Sequence, residues 1–250
     1  ADFGGGATNH DLVQTRSANI RGLDVRFGQH YIGSIDTRLA GEHGINVASG
    51  AELEYGKIIT SYNTNKGIVA SAAKLTGGFL KSEFNTDEGA LLAGTDLAVS
   101  YLEASNNGGG LNNVQLTSPK GFISKIKTWR PNVNEGGGLY ITGTSDGFEY
   151  SYESIKEGDA SLYGFFANNT DDLTCHSMSI TESTNQAFRL VNLTDSSFNG
   201  VKIPDVDSGS SVIGAGLTNV SFMNSNNSSG VLSNIGAASV DEFNSSGMTV

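Results

Sequence analysis

Short runs of alternating apolar and polar residues, each opened by a small residue, recur along most of the chain. The first examples are Gly44-Ile45-Asn46-Val47, Gly67-Ile68-Val69-Ala70, Gly89-Ala90-Leu91-Leu92 and Gly110-Leu111. The series continues at Gly138-Leu139-Tyr140-Ile141, Gly164-Phe165-Phe166-Ala167, Ala187-Phe188-Arg189-Leu190, Ser211-Val212-Ile213 and Gly230-Val231-Leu232. Alternation at period two predicts strands with one buried face. A second strand-like run follows at a steady distance, as in Leu75-Thr76-Gly77-Gly78-Phe79, Leu97-Ala98-Val99-Ser100-Tyr101, Phe148-Glu149-Tyr150-Ser151-Tyr152 and Leu173-Thr174-Cys175-His176. Asn63, Asn85 and Asn107 are equally spaced at the ends of three successive repeats. Asparagine tolerates left-handed backbone and its amide can bond a copy one rung away, so this spacing predicts a stacked turn. Helical periodicity is confined to a turn or two near 8–18, where Asn9 and Asp11 could cap.

A repeat of about 23 residues with two or three short strands and no helix describes a β-solenoid, in which each coil buries its apolar face against the next. The predicted fold is an all-β, right-handed parallel β-helix of about nine to ten coils in a single domain, 1–250. Residues 44–243 form the regular coils and 1–20 are assigned to an N-terminal cap. The leucine-rich-repeat framework is missing. Gly44, Gly67, Gly89, Gly138 and Gly164 are expected at equivalent positions of successive coils.

Composition strengthens this picture. Glycine numbers 33 and proline only 3, while 37% of residues are apolar and 16% charged, which is an ordered, turn-rich chain rather than a disordered one. The formal net charge of -11 repels phosphate backbones, so nucleic acid is an unsuitable partner, and no apolar run is long enough for insertion into a membrane. The single cysteine, Cys175, has no internal partner, and no zinc-like Cys/His spacing exists, so neither a metal nor another cofactor is expected. The chain opens on Ala1 and reads as a processed or excised piece.

The repeat architecture resembles the single-stranded right-handed parallel β-helix of pectate-lyase-like proteins and bacteriophage tailspikes, over about residues 10 to 250. Asp2-Phe3-Gly4-Gly5-Gly6 followed by Asp11 is similar to the Asp-Phe-Gly-Ala segment that opens many such domains. The resemblance implies a homotrimeric, extracellular virion appendage that binds, and often cleaves, a bacterial surface polysaccharide. It supplies no shared catalytic motif, so the candidate residues come from rung alignment alone.

The longer repeats between Gly110 and Gly164 must extrude extra residues, the first set within 129–137, where Pro131 cannot join a central strand. Trp129 and Arg130 stand at this insertion. Aligned rungs place Tyr140, Phe166 and Arg189 in one outward column, a surface able to stack on sugar rings and pair with a carboxylate, or equally to pack under a loop or against a subunit. On the second strand, aligning Leu97, Phe122, Phe148 and Leu173 as equivalent positions puts Glu149, Ser151, Glu153 and His176 on the opposite parity, with Lys125 and Lys127 one rung below. Glu149 and Glu153 would flank Ser151, with His176 over the serine, an acid/base set suited to glycoside hydrolysis. The competing reading is a solubilising charge ladder, since Lys127 aligns with Glu153 and Lys81 with Glu103. Asp171, Asp172 and Asp146 close turns before the same strand and could assist catalysis or simply shape turns. Met178, Trp129, Tyr101, Tyr150 and Tyr152 are expected in the core. The segment 50–57 departs from the phosphate-loop pattern, and no nucleophile elbow occurs.

Three function classes follow: a polysaccharide-binding and endo-glycosidic tailspike-like protein, a non-enzymatic structural or adhesive solenoid, and a polysaccharide lyase. No repeated Thr-x-Thr face supports ice binding.

Overall fold

The computed structural model describes residues 1–3, 6–108, 112–129, 137–155, 163–181, 186–203, 211–227, 233–235 and 240–243. They form a parallel β-solenoid of about 8 turns of about 23 residues, slightly fewer turns than the repeat count suggested, and no helix occurs among them. Each turn contributes a short strand, such as Ile45–Val47, Ile68–Ser71 or Ala90–Ala93, and a long one, such as Ala51–Ser61, Lys74–Glu83 or Asp96–Ser105. Every strand pairs in parallel with its counterpart one turn on.

The long strand serves two faces. Leu53 and Tyr55 point inward, Gly56 and Lys57 both point out, and Ile58 and Thr60 point inward again. Two successive outward residues bend the strand at an open corner, and the same interruption separates Ile32 from Ile35 and Val99 from Leu102. The interior is aliphatic in the early turns and aromatic later. Phe165 stacks on Phe188 at 5.4 Å between ring centroids, and Phe198 on Phe222 at 5.4 Å. Each such buried side chain contributes about 1.5–3 kcal/mol. Cys175 lies in this interior and burial pushes its thiol up to about 12, which leaves it unreactive.

The glycine column is real, and its register is informative. Ile45, Ile68, Ala90, Val114, Leu139 and Phe165 pair in sequence, so Gly44, Gly67, Gly89, Gly138 and Gly164 are equivalent. The fourth place in that column belongs to Asn113; Gly110 and Leu111 lie outside the described residues. Asn63, Asn85 and Asn107 form the expected ladder. The Asn63 side chain donates to Asn85 Oδ1 at 2.7 Å and Asn85 donates to Asn107 Oδ1 at 2.9 Å, while each Oδ1 also accepts a backbone N–H.

Other expectations are corrected. Residues 8–16 are a strand, paired with Gly28–Arg38, because solenoid pairing outweighs the weak helical pattern. Phe122 turns outward and is 45% exposed, since Gly121 takes the position opposite Leu97 and Ile123 supplies the buried side chain. Trp129 is 39% exposed rather than core, and Tyr101 is half-buried on the outer face, stacked on Phe79 at 5.4 Å. Met178, Tyr150 and Tyr152 are buried as expected.

Near the first turn, Asp24 is a buried hub. It accepts from Asn46 at 2.6 Å, Arg26 at 3.0 Å and Arg21 at 3.1 Å. Burial alone would raise its carboxyl, but the Asn46 and arginine contacts win and hold it below its ordinary 3.8. The carboxylate therefore contributes stability that is present above that value and is lost as pH falls through the depressed one. Thermal melts of wild type and Asp24→Asn should differ at neutral pH and converge in acid below about pH 3.8.

Candidate functional site

The turn containing Asp146–Ile155 lacks the outward doublet of its neighbours. Phe148, Tyr150, Tyr152 and Ser154 alternate inward without interruption, leaving Ser151 alone where adjacent turns present Ser124 with Lys125 and His176 with Ser177. The register records the missing residue on both sides. Pairing jumps from Ile123/Tyr150 to Ile126/Tyr152, and from Tyr150/Cys175 to Ser151/Ser177. A one-residue deficit in a corner flanked by full corners produces a dent.

That dent is a cavity of about 350 Å³, bordered by Ser124, Lys125, Ser151, Glu153, Ser179 and Lys202, with Tyr152 and Met178 in its floor. The floor is held rigidly. The Tyr152 hydroxyl donates to Gly164 O at 2.6 Å and lies 2.7 Å from Thr128 Oγ1. At the rim, Lys125 Nζ is 2.5 Å from Glu153 Oε2. Glu153 also belongs to a longer outward column in which Lys81, Glu103, Lys127, Glu153, Ser179 and Lys202 follow one another rung by rung. Lys81 sits 2.9 Å from Glu83 and 3.8 Å from Glu103, and the Glu83 contact raises its ammonium above the usual lysine range. Among the described residues no carboxylate lies within ion-pairing distance of Lys202, so the dent combines a cation, an ion pair and several hydroxyls.

The structure groups some candidates and separates others. Glu149 does not border the dent and meets His176, with Oε2 3.0 Å from Nε2; both are largely exposed. His176 therefore sits over Glu149, while Ser177 takes the place opposite Ser151. Glu149 and Glu153 are four residues apart on one strand, about 13 Å between Cα atoms at the usual rise, and each is engaged by a different partner. Asp172 occupies a left-handed turn position, φ 50°, where its carboxylate accepts the Gly147 N–H at 2.8 Å. Asp171 accepts the Ser145 N–H at 3.0 Å, and Asp146 lies 3.6 Å from Lys120. These aspartates tie successive turns together. Among the described residues no three His, Cys, Asp or Glu side chains converge as a metal would require.

Tyr140, Phe166 and Arg189 do share an outward column. The Tyr140 and Phe166 centroids are 5.1 Å apart, and the Arg189 guanidinium lies 4.7 Å over the Phe166 ring. Tyr163, missed in the sequence, joins them 5.1 Å from Phe166, with its hydroxyl bonded to Asn112 and raised by burial. The readable signal was Gly137: a Cβ there would overlap the Tyr163 ring, so the glycine makes its berth. Trp129 stands at the outer end of its strand, paired with Ser105 and Ile155, two residues beyond Lys127 on the face of the dent. Arg130 and residues 131–136 lie outside the described residues. Comparison with protein-family models, with curated proteins and with solved structures found no match.

Proposed function

We propose that this β-solenoid handles a bacterial surface polysaccharide in the manner of a tailspike, outside the cell, as part of a homotrimeric appendage. A parallel β-solenoid is compatible with a tailspike or an adhesive fibre. The observation that supports sugar handling is the dent made by the shortened corner at Ser151, whose hydroxyls and ammonium groups suit a hydroxyl-rich, acid-bearing chain. Trp129 extends that face with an exposed aromatic surface, and the Tyr140–Phe166–Arg189 column offers a second one. Within the dent Glu153 is the carboxylate able to reach a glycosidic bond, with Lys125 beside it.

The test is a panel of capsular and O-antigen polysaccharides assayed for new reducing ends, with ultraviolet absorbance of unsaturated products to separate elimination from hydrolysis. If Glu153 acts on the bond, Glu153→Gln lowers the cleavage rate by about 100-fold or more, at nearly constant side-chain volume. Wild-type turnover in that variant, with Glu149→Gln and Asp172→Asn equally active, places the chemistry elsewhere. The second reading is a non-enzymatic adhesive solenoid, favoured by the membership of Glu153 in the Lys81–Glu103–Lys127 charge column. Binding without release of ends selects it.

A further inference from the structure

Where the long strand ends, the backbone turns through the left-handed region at the same place in five successive turns: Ser17, Leu39, Tyr62, Phe84 and Asn106, with φ between 53° and 56°. Each N–H donates to the carbonyl one turn on, as Leu39 does to Ser61 O at 3.2 Å and Phe84 to Ser105 O at 3.2 Å. Such positions favour asparagine or glycine. Most left-handed positions elsewhere follow that preference, with Asn169, Asn192, Asn219 and Asn224 at positive φ, and exceptions there such as Ala72 and Ser118 are small. Leu39, Tyr62 and Phe84 break it, and they are also 56%, 53% and 42% exposed. Tyr62 and Phe84 are stacked at 5.0 Å and 5°. Three consecutive turns thus bear both backbone strain and an exposed apolar group, which within the isolated fold only the Tyr62–Phe84 stack offsets in part.

The surroundings of this ridge differ from the rest of the surface. The chain carries a formal net charge of -11, yet each flank of the ridge carries both signs, joined in ion pairs. Asp36 pairs with Arg38 at 2.9 Å and Lys81 with Glu83 at 2.9 Å on one flank; Arg21 meets Glu42 at 3.6 Å and Lys66 meets both Asp87 and the buried Glu88 at 2.6 Å on the other. A strip with both signs on each flank can pair with its own copy, whereas an acidic surface of one sign repels its own kind. The ridge also repeats at the rung spacing of a parallel sheet, about 4.8 Å, and a partner matched to it offers apolar groups at that pitch. A second copy of this chain does so.

We propose that the ridge of Leu39, Tyr62 and Phe84 is a self-association surface, occupied by the same ridge of a second copy. This surface rests on the ridge and the paired charges on its flanks, and not on polysaccharide binding or on the proposed trimer. The experiment is sedimentation of the full 250-residue chain over a range of concentrations, beside the double variant Tyr62→Asn/Phe84→Asn. Asparagine already occupies this column at Asn106, so the variant keeps its fold, and its thermal midpoint in the monomeric state is unchanged or higher. Wild type associates, and the variant needs at least about tenfold higher concentration to do so. Tyr62→Cys forms an intermolecular disulfide on mild oxidation, the native Cys175 being buried. A wild type that stays monomeric throughout, or a double variant that associates as readily as wild type, overturns the proposal. So does a double variant that loses polysaccharide binding while wild type is monomeric, which would make the ridge a sugar platform. Polysaccharide cleavage measured on the same samples reports separately on the proposed function.

Discussion

Asn85→Ala destabilises the protein by about 4 kcal/mol, read as a shift of the urea midpoint followed by circular dichroism. Asn85 Oδ1 accepts both the backbone N–H of Asn63 at 3.1 Å and its side-chain amide at 2.7 Å, while Asn85 Nδ2 donates to Ser82 Oγ and Asn107 Oδ1, each at 2.9 Å. All of these groups are buried. Alanine removes the centre of the ladder and leaves the Asn63 backbone and side-chain donors above without their acceptor, while Asn107 Oδ1 below keeps the backbone N–H of residue 85; each buried unsatisfied group costs about 1–3 kcal/mol. Asn85→Asp does not rescue the fold, because a carboxylate keeps the acceptor but cannot donate, and it introduces a buried charge without a counterion. A loss below about 1 kcal/mol would mean that the ladder is replaceable by water or by neighbouring hydroxyls.

Gly67→Ala is expected to cost about 3 kcal/mol, at the upper end of ordinary overpacking. Its backbone is not in the left-handed region, so the requirement is space. A Cβ would overlap Ser82 Oγ and stand 2.5 Å from Thr60 Oγ1 and 2.6 Å from Gly89 O. Ser82 cannot move aside freely, since its hydroxyl accepts from Thr60 at 2.9 Å and donates to Gly89 O at 2.7 Å. The turns would have to separate. Gly50→Ala provides the contrast. Its φ of +78° carries strain but nothing lies within 4 Å, so it should cost only about 1–2 kcal/mol. Equal losses at the two sites would refute the argument from crowding.

These predictions separate two kinds of information in the chain. The period-two alternation, the glycine column and the Asn63, Asn85 and Asn107 spacing are local or strictly repeated signals. In a solenoid a residue's neighbour is its counterpart one repeat away, so sequence period translates directly into contact, and fold class could be read before any coordinates were known. The reading failed where the period changed. By the repeat Phe122 falls in step with Leu97 and Phe148, whereas Gly121 takes the place opposite Leu97 and a register shift between Lys120 and Phe122 sets Phe122 opposite Glu149, facing outward. A separate shift at Ser124 and Lys125, matched by one at His176, creates the dent at Ser151, which no single strand announces because it is a difference between three turns. Likewise Trp129 and Tyr101 are apolar enough for the core, yet parity counted from the corner puts both outside.

By itself, then, the sequence determined that this protein is a parallel stack of turns, with which small residues at its tight places and which amide ladder through its corner. Repetition averages away local ambiguity, since each turn votes on the same register. The tertiary structure alone decided that Glu149 meets His176 while Glu153 meets Lys125, that Asp172 staples a turn, and that Leu39, Tyr62 and Phe84 stand exposed at left-handed corners. Those outcomes depend on one-residue differences in where each turn bends. A shift of one residue reverses which way a side chain points without altering the hydrophobic period that specifies the fold.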